Sequence, residues 1–360
     1  MIINIISPHA SNYLGGMEAV TINMAIHLAR QGETIRFFTR KSTKPTDTFH
    51  DMKHSKPDGL HIIEIELIDC PLPDSTWPTF YKISNIFGAT ASSEYDKFAD
   101  ADLFITHLSI DALYVPKRSK SLLHLHGNPD TADSLMDKAI QLPNSTIAHS
   151  QSIKSWWSNQ YPHLKPSIFL NGIDASIYTG DPTSKRPIDV LYVGRFLEHK
   201  GIDDILRTVD KTTKVVLAGH GPYLPVIKSI VAERNLKHVT ILEKPSTKVV
   251  KKLYRDSKVF ACPSRSKEGL LTTLLEASAS GCAIVTTSGS GMTDLIDISA
   301  KESIIISPGD INSLGVALAD LLADNDYRSN TAQRLQSKIK AGWSWEQKTK
   351  ELIEIYRHAL

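Results

Sequence analysis

The chain has little cysteine, little net charge and no long apolar stretch, and each shortage removes a class of function. Cys70, Cys262 and Cys282 are the only cysteines among 360 residues, and no two of them form a CxxC pair. An odd number of thiols, each in or beside an apolar run, fits buried cysteines in a reducing compartment and not a disulfide framework. Lys and Arg number 41 against 39 Asp and Glu, for a formal net charge of +2. That balance is too small for nucleic-acid binding by bulk electrostatics, so any recognition of phosphate must come from cations placed locally. No apolar run approaches the ~20 residues of a membrane span. The opening segment, Ile2–Ser7, lacks the basic region and cleavage site of a signal peptide and reads as a first strand. A cytoplasmic protein is expected, with peripheral contact at the inner face of the plasma membrane left open. Also missing are a GxGxxG fingerprint, a P-loop, a GxSxG elbow and any Cys/His set with zinc spacing.

What the sequence does have is alternation. Short β-branched runs recur at Ile2–Ser7, Thr34–Thr39, His61–Leu67, Asp102–His107, Ser121–His126, Thr146–His149 and Ser167–Leu170. They resume at Asp189–Val193, Lys214–Ala218, His238–Leu242, Lys258–Ala261, Ala283–Thr286 and Ser303–Ile306. Many are apolar throughout, as strands covered on both faces are. Amphipathic stretches such as Met17–Arg30, Ser246–Asp256 and Leu271–Ser280 lie between them. The pattern predicts an α/β chain with parallel sheets and crossover helices. So many strands suit two sheets better than one. The polar segment Asn171–Pro187, with its Asn-Gly, Gly-Asp-Pro and Arg-Pro punctuation, is the expected boundary. The expected domains are 1–170 and 171–344, with a final amphipathic helix at 345–360. Segment Pro71–Glu94 starts irregularly, with three prolines.

Polar residues that carry chemistry follow the strands, at the edge where parallel sheets bind ligands. Gly15-Gly16 precedes the first helix, whose free N–H groups suit a phosphate. Gly194-Arg195 and Lys200-Gly201 end another strand and place two cations for a diphosphate; two solvated loop cations are the plain alternative. Glu268 and Glu276 form E-x7-E, a spacing that puts both on one helix face, with Glu268 at the helix N-terminus and Glu276 inside an apolar run. A carboxylate there needs hydrogen-bond donors, which ribose hydroxyls supply; a structural ion pair is the alternative. His126 ends the run Leu122–His126, and of His124 and His126 one packs in the sheet. Asp100-Ala-Asp102 is formally a D-x-D metal pattern, but it precedes its strand and so lies at the opposite end of the sheet.

In their order along the chain these motifs resemble those of the retaining glycosyltransferases of family four, which have the GT-B fold of two facing Rossmann-like domains. The resemblance rests on Gly15-Gly16-Met-Glu18, Leu125-His126-Gly127, Asn171-Gly-Ile-Asp174, Val193-Gly-Arg195, Lys200-Gly201, Ala218-Gly-His-Gly-Pro222, Pro263-Ser264, Glu268-Gly269, Glu276-Ala277, Pro308-Gly-Asp310 and Trp343-Ser-Trp345. It implies a nucleotide-sugar donor, UDP-sugar favoured, held in a cleft between an acceptor-side domain and a nucleotide-binding domain. It implies that Arg195 and Lys200 neutralise the leaving diphosphate and that Glu276 holds the ribose. Glu268 and His126 would contact the donor sugar. Backbone groups at Gly15, Gly16, Gly194, Gly219, Gly269, Leu270 and Leu271 would complete the donor pocket. Neither metal nor cofactor is expected, and the acceptor is a glycan or lipid-linked glycan. Leu271, Thr293 and Asp294 depart from the residues commonest in relatives. A nucleotide-sugar epimerase on the same fold, which would recruit His9, His107 and His126, and a non-catalytic nucleotide-sugar sensor are the competing readings. Membrane contact would fall to Lys154-Ser-Trp-Trp157 and Lys117-Arg-Ser-Lys120.

Overall fold

A computed structural model describes the whole chain except residues 14, 68–76, 128–133, 267, 289–290, 292 and 298. Cys70 and the Pro71–Pro73 stretch lie outside the described residues. The chain divides into two compact units, Met1–Gly172 with Trp345–Leu360, and Ile173–Ser344.

The first unit holds β1 (Ile2–Ile6), β2 (Thr34–Arg40), β3 (Leu60–Ile65), β4 (Leu103–Thr106), β5 (Ser121–Leu125), β6 (Ser145–Ala148) and β7 (Ser167–Ile168). Its helices are α1 (Gly16–Arg30), α2 (Asp47–His54), α3 (Trp77–Lys97), α4 (Ser134–Ala139) and α5 (Gln151–Gln160). The second unit holds β8 (Ile188–Arg195), β9 (Val215–His220), β10 (Val239–Glu243), β11 (Ser257–Cys262), β12 (Ala283–Thr287) and β13 (Ile304–Ile306). Between and after these strands run α6 (Ile202–Thr208), α7 (Leu224–Glu233), α8 (Thr247–Asp256), α9 (Thr272–Ala279), α10 (Ile311–Ala323) and α11 (Asn325–Gly342). The last helix, α12 (Trp345–Ala359), returns to the first unit, where Trp345, Leu352, Ile353 and Tyr356 join a core with Ile3, Ile5, Met24 and Leu28.

Every strand pair within each sheet is parallel. The orders are β3-β2-β1-β4-β5-β6-β7 and β10-β9-β8-β11-β12-β13. Both are doubly wound, so the chain reverses direction across the sheet between β1 and β4 in one unit and between β8 and β11 in the other. Ligands bind at the carboxyl ends of strands at such switch points. The strands are buried because helices cover both faces, which explains their unbroken apolar runs: β4, β5 and β12 are buried at every position. The thirteen expected strand runs coincide with the thirteen strands of the described residues to within about two residues at most ends.

One expectation fails. Helix α9 starts at Thr272, with Leu271 as its N-cap, so Glu268 lies in the preceding loop and not at the helix N-terminus. The loop is held out of helix: Gly291 N–H donates to the Glu268 carbonyl at 2.7 Å, and the Glu268 side chain is tied backward to Ser264.

Candidate functional site

In the second unit the switch point lies between the ends of β8 and β11, and two loops meet there. The first leaves β8 through Gly194-Arg195 and turns at Glu198–Lys200. Gly201 closes that turn at φ 67, and a Cβ there would lie 2.1 Å from the Pro263 carbonyl oxygen. Only glycine lets the turn rest on the second loop. Gly219 at the end of β9 is similarly constrained, since a Cβ would lie 1.8 Å from the Gly194 carbonyl oxygen.

Across this junction Lys200 Nζ donates to Glu268 Oε2 at 2.6 Å. The Ser264 hydroxyl donates to Oε1 at 2.6 Å and the Ser266 hydroxyl at 3.2 Å. Burial would raise the Glu268 carboxyl; the charge and hydrogen bond of Lys200, with the bond from Ser264, overcome it and hold the group below its ordinary value. Glu268 is therefore an anion with a fixed orientation. Arg195 is exposed, and no acidic side chain among the described residues pairs with it. His220 stands opposite Arg195 in the β8–β9 register. Burial lowers the His220 imidazole, and the charges of Lys244 and Arg195 lower it further, which marks a local excess of positive charge at these strand ends. The backbone N–H groups of Gly269, Leu270 and Leu271 donate to no acceptor among the described residues. They lead into the N-terminus of α9, an arrangement that suits an anion or a sugar hydroxyl.

Glu276 lies inside α9 and has a separate set of partners. Tyr178 Oη donates to Oε1 at 2.9 Å and Tyr254 Oη to Oε2 at 2.8 Å. Burial raises this carboxyl and the two phenols pull against it. Each oxygen keeps a further lone pair for a ligand hydroxyl. The Lys251 ammonium lies 5.7 Å from the centroid of the Tyr178 ring.

In the first unit Gly15 caps α1. Its N–H donates to Glu18 Oε2 at 3.1 Å, and a Cβ on Gly15 would lie 2.5 Å from that oxygen. Gly16, the next residue, has nothing among the described residues within 4 Å of where its Cβ would be. At the ends of β4, β5 and β6 stand His107, His126 and His149, with His124 inside β5. His107 Nδ1 lies 2.8 Å from His126 Nε2, and His124 Nδ1 lies 2.9 Å from His149 Nε2. His124 Nε2 meets Tyr356 Oη at 2.9 Å, so His124 is the packed member of its pair. His126 is half-buried and lines a pocket with His107, Met17, Tyr81 and Gly127. Asp100 pairs with Arg36 at 2.6 Å, and Asp102 accepts from Ile2 N–H at 2.8 Å, so the D-x-D serves the amino-end edge of the sheet.

Residues 180–358 match the model of the group 1 glycosyl transferases. This segment is a group 1 glycosyltransferase domain. The GDP-mannose-dependent alpha-(1-6)-phosphatidylinositol monomannoside mannosyltransferase of Mycolicibacterium smegmatis is 25% identical over 217 residues, 54% of this chain and 55% of that protein. The chain spans about half the length of the first curated relatives it matches, at 45%, 55% and 54%. Among solved structures, sucrose-phosphate synthase from Thermosynechococcus elongatus superposes with a TM-score of 0.82 at 18% identity, covering 99% of this chain and 98% of that one. Anabaena HepE in complex with UDP-glucose gives 0.78 at 14% identity, covering 99% and 100%. The two Rossmann-like parallel-sheet units are thus the GT-B fold.

Within the glycosyltransferase domain the structure brings Arg195, Lys200, Glu268, Gly194, Gly219 and the 269–271 backbone to neighbouring strand ends. It keeps Glu276 on its own tyrosine pair. The sequence missed Tyr178, Tyr254 and Ser264. Ser264 stood within a quoted motif; the tyrosines carried no local signal, because they reach Glu276 from 98 and 22 positions away. No described helix is long and apolar enough to cross a membrane.

Proposed function

We propose that this protein is a retaining glycosyltransferase of family four. It would transfer a hexose or N-acetylhexosamine from a nucleoside-diphosphate sugar to a hydroxyl of a glycan or lipid-linked glycan, without a metal. The observation that carries the reading is the Lys200–Glu268 pair at the switch point of the second sheet, with Arg195 and the 269–271 N–H groups, which donate to no acceptor among the described residues, beside it.

The chemistry follows from charge. As the glycosyl–phosphate bond breaks, the diphosphate gains negative charge, and preorganised cations and N–H dipoles stabilise it. Arg195 and Lys200 take that role. Glu268, an oriented anion, accepts a sugar hydroxyl near the reacting carbon, and His126 contacts the sugar. Glu276 takes ribose hydroxyls on its remaining lone pairs. No strong base is assigned, so the leaving phosphate takes the acceptor proton, as same-face substitution with retention allows. The epimerase reading needs acid–base groups at the sugar. Burial lowers His107 to about 3, which leaves it neutral and a poor acid at neutral pH.

GDP-mannose and UDP-glucose are the first donors to test, because the mycobacterial relative is named for the one and the HepE structure holds the other. Thermal shift with the nucleotides and sugar nucleotides, in EDTA, tests the donor site: a ligand at 100 times Kd adds about 2.7 kcal/mol of stability. A shift with one nucleotide supports the reading; none, with or without Mg²⁺, overturns it. Glu276→Ala is expected to lower turnover by orders of magnitude in a folded protein.

A further inference from the structure

The four histidines of the first unit come together by strand register. His124 and His126 are two apart on one strand and so point to the same face of the sheet. Thr106 pairs with Leu123 and Leu125 with Ala148. Continuing those registers sets His107 opposite His124 and His149 opposite His126. The rings are accordingly close: His126 stacks on His149 at 4.1 Å between centroids, and His107 lies 5.0 Å from His126 and 5.1 Å from His124. One ligating nitrogen each from His107, His124 and His126 lies within 4.8 Å of the others.

Three features separate this cluster from an ordinary packed set. All three rings line one pocket, so an ion has an entry path. His107 Nε2 is buried and has no partner among the described residues, in a residue 4% exposed. Finally, no carboxylate among the described residues belongs to the cluster.

We propose that His107, His124 and His126 form a binding site for a borderline divalent transition ion, with Zn²⁺ the first candidate. An all-imidazole donor set selects zinc, copper or nickel over magnesium or calcium. The close His107–His126 contact is two nitrogens sharing one proton; the ion takes the place of that proton, which moves to the far nitrogen of the same ring, so that both imidazoles bind as neutral ligands. Zn–N bonds of about 2.0–2.1 Å in tetrahedral geometry need nitrogens roughly 3.3 Å apart. The 2.8 Å pair opens slightly, and His124 closes in by turning from His149. The fourth position faces the pocket and takes water. A consequence rests on the proposed function: His126 cannot hold the ion and touch a donor sugar, so zinc and donor compete.

The test is titration of the full chain with Zn²⁺ by calorimetry and with Co²⁺ by visible absorption. Expected are one saturable equivalent with micromolar affinity and the intense d–d band of four-coordinate cobalt. His107→Gln and His126→Gln are each expected to weaken binding about tenfold or more, while His9→Gln, a buried histidine outside the cluster, leaves it unchanged. Absence of a saturable site, a six-coordinate cobalt spectrum, or equal binding by the folded cluster variants overturns the proposal. The cobalt band needs no variant, so it decides the matter even where a substitution unfolds the protein. It also stands apart from turnover: metal binding without competition against any sugar nucleotide would sink the donor role of His126 and leave the metal site intact.

Discussion

Lys200 Nζ meets Glu268 Oε2 at 2.6 Å across the junction of the loops after β8 and β11, with both side chains nearly withdrawn from solvent at 13% and 10% exposure. Breaking such a pair from one side strands a buried charge, at a cost of about 3–5 kcal/mol. Lys200→Met is therefore expected to lose both stability and most turnover. The double variant Lys200→Met/Glu268→Gln should recover much of the stability and none of the turnover. The pH dependence has a definite sign. The folded protein holds Glu268 below its ordinary value, so the stabilisation is present above the usual carboxylate range and is lost as pH falls through the lower, folded pKa. Acid unfolding of Glu268→Gln should lack that contribution. Thermal melts from neutral pH to pH 3 measure it, and parallel acid limbs in the two proteins would show that the pair contributes nothing.

Tyr178 and Tyr254 fix the Glu276 carboxylate from two sides. Tyr254 is fully buried, whereas Tyr178 is only partly covered and can respond to a ligand. Removing one phenol leaves the carboxylate free to rotate and costs about 1 kcal/mol in the ligand contact it oriented. Tyr178→Phe is expected to weaken nucleotide binding about fivefold. For the corresponding 2′-deoxynucleotide the penalty should be smaller, because that ligand makes one ribose bond fewer. Equal losses for both nucleotides in calorimetry would detach Glu276 from the ribose.

Arg265 ties the loop after β11 to its neighbours. Its guanidinium donates to Asp203 Oδ2 at 2.7 Å and to Asp204 Oδ2 at 3.0 Å, and its N–H donates to the His199 carbonyl at 2.7 Å. Lys replaces the charge and not the planar fork. Arg265→Lys should therefore lower kcat about tenfold with a smaller change in KM, since Lys200 and Glu268 would stay paired in a less fixed loop. A loss confined to KM would make Arg265 a donor-binding group instead.

Strands such as β11 and β12 were legible because burial on both faces demands unbroken apolar runs, and that demand is written locally. The cations at Arg195 and Lys200 were legible for a related reason: they follow a strand at once, where a parallel sheet binds ligands. What was illegible depends on partners distant in sequence. The E-x7-E spacing suggested one helix face, yet the Gly291 N–H and Ser264 hydroxyl hold Glu268 in a loop. The histidine cluster needs the pairing order β4-β5-β6 as well as the positions of His107, His126 and His149. A reading that had combined the i,i+2 pair His124–His126 with that order would have found it.

Asp111 gives the first unit an alkaline weakness. It lies in the 3-10 turn Ser109–Tyr114, 1% exposed, and neither carboxyl oxygen has a hydrogen bond of ordinary geometry among the described residues. Burial pushes the carboxyl up to about 8, against smaller opposing effects of the Ser84 hydroxyl and the backbone at Leu108. The groups facing it are Ser84 and Tyr95 of α3 and Tyr114 of its own turn, and its charge would raise both phenols. A carboxyl raised in the folded state contributes stability that is full below its unfolded pKa. That stability declines as pH rises toward 8, by at most ~1.4 kcal/mol per pH unit for one group, and is flat above. Asp111→Asn keeps the shape and cannot ionise. The difference in melting temperature, variant minus wild type, should therefore grow from pH 5 to pH 8 and then level. Taking the difference cancels every other titrating group, histidines included. A difference independent of pH would mean that Asp111 is ionised in the folded protein at pH 5 and finds a partner there.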